Sequence, residues 1–249
     1  MAKNIVIYGL HAVQAYLDRQ PEGVLEVFLL KSRDDERLNR LVQALRPLGL
    51  TLQWRERAQL DELAGDSHHQ GVVARVREVP PGDEHALADF LDALGEPPFL
   101  LLLDNVTDPH NLGACLRSAD AAGVQAVITP RDKSASITPV VRKVACGAAE
   151  VLPFFQVTNL ARCMVMLKER GIWLLGTALE EGAQSLYDAS LTGPLGIVMG
   201  AEGSGMRRLT REHCDSLVYI PMAGSVESLN VSVATGVTLF EARRQRMRG

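Results

Sequence analysis

The chain has 249 residues, 47% hydrophobic and 22% charged, which is the make-up of an ordinary folded globular protein. Disorder, a collagen-like repeat and a disulfide-stapled miniprotein are excluded, and the length suits one large or two modest domains at roughly 100–200 residues each. The formal net charge is −4, from 26 basic and 30 acidic side chains, so the total does not advertise a nucleic-acid partner. No uncharged apolar run approaches the roughly 18–20 residues that span a bilayer, and no basic segment leads into a signal-type stretch, so a cytoplasmic protein with no membrane partner is expected. The cysteines at 115, 146, 163 and 214 contain no CxxC pair. They read as small buried residues rather than disulfides or metal ligands, and no metal is expected.

In chain order, apolar strand-like runs first alternate with helical patterns: a strand over Asn4–Tyr8, a helix over Leu10–Arg19, and a strand over Val24–Leu30. Leu38, Leu41, Val42 and Leu45 fall on one helix face, and Leu50–Trp54 and Gly71–Arg77 read as further strands. Residues 1–78, with 11 basic and 11 acidic side chains, form a small α/β unit. Residues 79–98 carry five acidic and no basic side chains between two proline pairs. This stretch reads as an acidic linker with one helical piece, around Leu87, Phe90, Leu91 and Leu94.

From residue 99 to 249 the alternation is stronger. Phe99–Leu103 is a continuous apolar run of the kind buried on both faces of a parallel sheet. Further strands are expected at Val124–Thr129, Ile172–Thr177, Leu195–Met199 and Leu217–Ile220. Helices are expected at about 111–122, 138–149, 158–170 and 229–246, the last with Val233, Val237 and Phe240 on one face. The fold class is α/β, a mostly parallel sheet covered by helices.

Ligand crevices in open parallel sheets lie beyond the carboxyl ends of the strands, and three polar, glycine-containing segments follow buried runs directly. The first, DNVTDPHNLGACLRSADAAG from Asp104 to Gly123, places Asn111 at a helix entrance and Arg117 about two turns in. There, Asp108 or Asn111 also reads as a helix cap and Arg117 as a solvated charge. The second, IVMGAEGSGM, sets glycines 200, 203 and 205 around one carboxylate, Glu202. It fits neither GxGxxG nor a Walker loop, and reads as a close approach to a ligand or as a tight turn. The third, YIPMAGSVESLNVSVATG, carries Ser228 and Asn230 where helix caps sit.

Together, in order and in nearly every position, these segments resemble the three motifs of the SpoU (TrmH-type) RNA ribose 2′-O-methyltransferases. YGLHAVQAYL at Tyr8–Leu17 and HHQG at His68–Gly71 resemble the amino-terminal substrate-binding domain of the branch that methylates the P-loop guanosine of bacterial 23S rRNA. The resemblance implies a carboxy-terminal SPOUT domain closed by a trefoil knot, an amino-terminal RNA-binding domain of ribosomal-protein (L30e-like) type, a homodimer, S-adenosylmethionine as cofactor and 23S rRNA as substrate. It assigns activation of the 2′-hydroxyl to Arg117, shaping of the site to Asn111, Glu202, Ser228 and Asn230, and cofactor contact to Gly200, Ile220 and Leu229.

Methyl transfer from a sulfonium needs alignment more than acid–base power, and good orientation supplies up to roughly 7–11 kcal/mol. Guanidinium holds its proton to a pKa above about 12, so Arg117 is expected to clamp the phosphate beside the target ribose. The proton then passes to that phosphate or to a transiently neutral Arg117. A sister enzyme using the same chemistry on another RNA, such as a tRNA guanosine, is the nearest alternative. A chemically dead RNA-binding module or a small-molecule methyltransferase fits less of the chain. Phosphate contacts are expected from Arg131, Lys133, Arg142, Lys143, Arg207, Arg208 and Arg211, with the arginines at 243, 244, 246 and 248 as a solvated helix end.

Overall fold

The computed structural model describes residues 3–248. The chain divides into two compact units, one running to Pro80 and including Cys146–Val151, the other covering Pro81–Ala145 and the chain from Leu152 onward.

The first unit contains β1 (Asn4–Tyr8), α1 (Leu10–Arg19), β2 (Val24–Leu30), α2 (Glu36–Leu45), β3 (Leu52–Arg55), α3 (Arg57–Ala64) and β4 (Val72–Arg77). Its four strands lie in the order β1-β4-β2-β3. β4 is antiparallel to both neighbours and β2 is parallel to β3. Strand alternation buries both faces. Ile7, Val27, Leu29, Val72, Ala74 and Val76 pack with Val13 and Leu17 of α1 and Leu38, Leu41 and Leu45 of α2. On the opposite face Phe28 and Val73 meet Leu60 of α3. The sequence reading missed α3, which has only two leucines to mark a face. Its entry signal was present as a capping box, in which Glu56 and Gln59 each satisfy the other's backbone N–H.

The second unit contains α4 (Glu84–Asp92), β5 (Phe99–Asp104), α5 (Pro109–Ala122), β6 (Ala126–Pro130) and α6 (Pro139–Ala145). After α7 (Ala148–Val151), which belongs to the first unit, come β7 (Phe154–Val157), α8 (Leu160–Glu169), β8 (Trp173–Thr177) and β9 (Gln184–Ser185). β10 (Leu195–Gly200), α9 (Arg208–Glu212), β11 (Ser216–Tyr219) and α10 (Val231–Arg246) complete it. The sheet order is β7-β6-β5-β10-β8-β11-β9, and every pairing in it is parallel. The mostly parallel α/β sheet expected from the apolar runs is therefore present. β7 and β9 were not expected, being too short to show a period.

Three expectations are corrected or made more definite. The helical piece expected in the 79–98 stretch is present as α4, which sinks Leu87 and Leu91 into the core that holds Leu100, Leu102, Ile128 and Met164. Asp83 caps that helix through the N–H groups of His85 and Ala86, and the Phe90 ring packs tilted against Phe155 with centroids 5.5 Å apart. The helix expected over 138–149 breaks at Cys146 and Gly147, both at positive φ (52° and 101°), a conformation that ends a right-handed helix. On α10, Val233 and Phe240 do share a side, but it faces outward, at 51% and 50% exposure. The inward side carries Val231, Thr235, Leu239 and Ala242. Cys115 and Cys163 are buried as expected, whereas Cys146 is exposed.

The carboxy-terminal end of α10 is pinned by side chains. The Glu241 carboxylate accepts from Arg244 Nε and Nη2, both at 2.7 Å, and from Gln245 Nε2 at 2.8 Å. Gln245 also bonds Leu191 N and Ala189 O. Arg246 lies 4.7 Å over the Phe99 ring and donates to Gly193 O. Arg244 and Arg246 thus make structural contacts, while Arg243, Arg244 and Arg248 remain exposed at the helix end as expected.

Hydrogen bonds from Arg244 lead the effects that draw the Glu241 carboxyl down to about 2. A depressed carboxyl stabilises the fold above its unfolded pKa of about 4.3, and the gain is lost as pH falls toward the folded value. Glu241→Gln is therefore expected to lower the thermal midpoint at pH 7. Melts followed by circular dichroism should show the gap to the native chain closing between pH 5 and pH 2; a constant gap would argue against the pairing.

Candidate active site

β5 and β10 end side by side, Gly200 opposite Asp104, with β8 on the other flank of β10 and β11 beyond it. The segments leaving β5, β10 and β11 therefore start from one edge of the sheet.

From β5 the chain enters α5. Asp108 is the N-cap, accepting from the N–H groups of His110 and Asn111, and Pro109 occupies the first turn. Gly113 lets α6 approach, since a Cβ there would lie 2.9 Å from Val141 O and 2.7 Å from the Val144 side chain. Asn111 thus stands in the first turn of a firmly seated helix.

From β10 the chain doubles back. Ala201 and Gly205 form an antiparallel bridge, and Gly203 and Gly205 take positive φ. A Cβ on Gly200 would overlap the backbone of Gly205 and Met206. The glycine at 200 is therefore needed by the protein's own returning chain, and the segment forms a tight turn whether or not a ligand also approaches it. Glu202 sits exposed on the turn.

From β11 the chain reaches α10, whose N-cap is Asn230 and not Ser228. The Asn230 amide is fully used. Its Oδ1 accepts from Ser232 N at 2.9 Å and Ser232 Oγ at 2.6 Å, while its Nδ2 donates to Asn111 Oδ1 and Glu202 Oε2, both at 3.0 Å. Having two acceptors on one end and two donors on the other sets the amide's orientation. The Glu202 carboxylate is also favoured by the positive end of α10.

Three of the residues singled out from sequence, Asn111, Glu202 and Asn230, are thus joined in one hydrogen-bonded set. Arg117 lies exposed on α5, about 9 Å further along the axis than Asn111 at 1.5 Å per residue. Ser228 is exposed in the segment before Asn230 and stands outside the set. Gly200 closes β10, Ile220 follows β11 directly and Leu229 precedes the N-cap of α10, each half-buried. As residue types they suit the apolar wall and backbone contacts that an adenosyl group asks for.

The pairing of Asp104 with Arg207 was not foreseen. Asp104, 0% exposed, accepts from the Arg207 backbone N at 2.8 Å and Nε at 2.7 Å, with Nη2 at 2.6 Å. A carboxylate at the end of a run as apolar as FLLLLD was the available signal, since a buried charge needs a partner. Arg207 was expected to touch RNA phosphate; its guanidinium is instead spent on Asp104. Arg208 and Arg211 likewise pair with Glu212 and Glu180.

Residues 98–240 match the SpoU rRNA Methylase family, and residues 6–82 match the RNA 2′-O ribose methyltransferase substrate binding family. The chain belongs to the SpoU rRNA methylase family. It is 61% identical over 241 residues to the 23S rRNA (guanosine-2′-O-)-methyltransferase RlmB of Pectobacterium atrosepticum, covering 97% of this chain and 98% of that one. It is 59% identical, with the same coverage, to the RlmB of Escherichia coli strain K12. The crystal structure of the SpoU methyltransferase AviRb from Streptomyces viridochromogenes, in complex with the cofactor AdoMet, superposes with a TM-score of 0.78 at 26% identity. It covers 99% of this chain and 92% of its own.

Asn230→Asp keeps a capping oxygen but turns a second carboxylate oxygen toward Glu202. Like charge and a lost donor together should cost on the order of 1–3 kcal/mol at the set. Methyl transfer at pH 8 is expected to fall about tenfold or more while helix content by circular dichroism stays native. Native turnover would detach Asn230 from the chemistry.

Proposed function

We propose that this chain transfers the methyl group of S-adenosylmethionine to the ribose 2′-hydroxyl of a guanosine in 23S rRNA, within the P loop of domain V. The observation that carries the reading is the near-full-length identity to 23S rRNA (guanosine-2′-O-)-methyltransferases, joined to the Asn111–Asn230–Glu202 set at the sheet edge. The cofactor supplies an already activated methyl group. Gly200, Ile220 and Leu229 hold it through backbone and apolar contact; Asn111, Glu202, Ser228 and Asn230 shape the pocket. Arg117, exposed on α5, clamps the phosphate next to the target ribose and takes part in removing the hydroxyl proton, with its planar fork setting the direction of approach.

Residues 1–78 serve as the RNA-recognising domain, of L30e-like type, and residues 99–249 as the catalytic domain, with 79–98 between them. The two-sided packing of a four-stranded sheet supports the first assignment. Arg55 and Arg75 lie 5.9 and 5.7 Å over the Phe28 ring, Arg75 also pairing with Glu26 at 2.7 Å, and Arg77 is exposed next along the same face of β4. We assign phosphate contact to this surface in addition to Arg208 and Arg211.

The carboxy-terminal segment is threaded as a trefoil knot. The reading is supported by the contacts of the α10 end with Ala189, Leu191 and Gly193, in the connection that leads into β10. The exposed Val233 and Phe240 of α10 form the contact of a homodimer, since a paired apolar stripe is removed from water. The enzyme acts in the cytoplasm.

Mapping ribose methylation across rRNA and tRNA in cells with and without this protein tests the reading. Loss at one P-loop guanosine is expected; loss at a tRNA guanosine would move the substrate. Arg117→Ala and Arg117→Lys should both abolish transfer and leave cofactor affinity within about threefold. Near-normal turnover of the lysine variant would show that a point charge suffices. Replacing Arg55, Arg75 and Arg77 together with glutamine should weaken binding to a 23S rRNA fragment about tenfold and flatten its salt dependence. An unchanged salt slope would remove that surface from the account.

A further inference from the structure

We infer that the ion pair between the buried Asp104 and the partly exposed Arg207 is a positioning device for the reaction, acting through Glu202 on Asn230 and Asn111. The inference rests on the function proposed above and adds two residues to its machinery.

Both oxygens of the Asp104 carboxylate are engaged by one residue. Oδ1 takes Arg207 Nε and Nη2 at 2.7 and 2.6 Å, and Oδ2 takes the Arg207 backbone N–H at 2.8 Å. Gripping a wholly buried carboxylate with both backbone and fork leaves Arg207 very little positional freedom. Any displacement strands a charge away from water, and that is among the costlier local defects a fold can carry.

Arg207 lies directly after the turn that carries Glu202. The start of the turn is held as well: Gly200 pairs with Asp104 across the β10–β5 ladder, and the backbone of Gly205 and Met206 returns into the space a side chain at 200 would fill. The Ala201–Gly205 bridge closes it from within. Residues 201–206 are therefore fixed at both ends to the same point of the sheet, the end of β5. Glu202, though exposed, is presented from a fixed frame, and its Oε2 meets Asn230 Nδ2 at 3.0 Å. Asn230 in turn reaches Asn111. A chain of contacts thus runs from Asp104 through Arg207, the turn and Glu202 to Asn230 and Asn111. Reactions that depend on alignment are sensitive to shifts of about 1 Å, which cost on the order of a hundredfold.

The test is a double-mutant cycle in the full chain between Arg207→Gln and Glu202→Ala. It is read as kcat and KM with a 23S rRNA fragment, together with the salt dependence of RNA binding and the thermal midpoint. Arg207→Gln is expected to lower kcat by about tenfold or more, with KM and the salt slope of RNA binding held near native. In the Glu202→Ala background the same change should have little further effect on kcat, because its route is already cut. Asp104→Asn should follow Arg207→Gln. Should Arg207→Gln fail to fold, Arg207→Lys, which keeps the charge and backbone N–H but loses the fork, carries the same cycle with a smaller loss. Independent, multiplicative effects would overturn the inference, as would native kcat in Arg207→Gln. Weaker RNA binding with a shallower salt slope and unchanged kcat would make Arg207 a phosphate contact instead. A native chain that does not methylate ribose would overturn the proposed function, an outcome separate from any of these.

Discussion

β5 and β10 pair in parallel from Leu195 opposite Phe99 to Gly200 opposite Asp104, and the candidate active site depends on this pairing. The two strands are far apart in the chain, and a parallel partner is reached only through crossover connections. What holds them together is burial. Every residue of β5 is buried, and β10 is buried as far as Met199, with each large apolar side chain worth roughly 1.5–3 kcal/mol of transfer free energy. Because the strands end together, α5 and the Glu202 turn begin at the same edge. A slip of one residue in this register would separate Asp104 from Gly200 and break the frame on which the turn is built.

Two carboxylates at this edge are treated in opposite ways. Asp104 is wholly buried, and its oxygens are occupied by Arg207. Glu202 is exposed and shares one oxygen with Asn230. The first is closed to solvent and acts through the residue it holds. The second is held at low cost because water still solvates it and the start of α10 faces it with positive partial charge. Between them Asn230 acts as the joint, capping α10 with its oxygen and tying Asn111 and Glu202 with its nitrogen.

The arginines show why charge counting misleads in a net-acidic nucleic-acid enzyme. Arg207, Arg208, Arg211 and Arg244 pair with Asp104, Glu212, Glu180 and Glu241, and Arg246 covers Phe99. Such partly exposed pairs add little stability each and lower the local positive field without removing it. Arg75 is paired as well, with Glu26, while its guanidinium and that of Arg55 lie over the Phe28 ring.

Much of this was legible in the sequence, because much of it is local. The strands Asn4–Tyr8 and Val24–Leu30 and the helix Leu10–Arg19 have the bounds their periodicity predicts. The Phe99 run declares a doubly buried strand by composition alone, and Asp108–Pro109 announces the start of α5. Placing Asn111, Glu202 and Asn230 in separate loops behind buried strands needed only the rule that ligands sit at strand ends. Their joining was a tertiary decision. So were the pairing of Asp104 with Arg207, the outward turn of Val233 and Phe240, and the packing of α4 into the core. Periodicity reports which residues share a face but not which neighbour that face meets, and a charge in a sequence carries no record of its partner. Those contacts join residues scores of positions apart, and they exist only once the sheet has assembled and brought the ends of its strands to one edge.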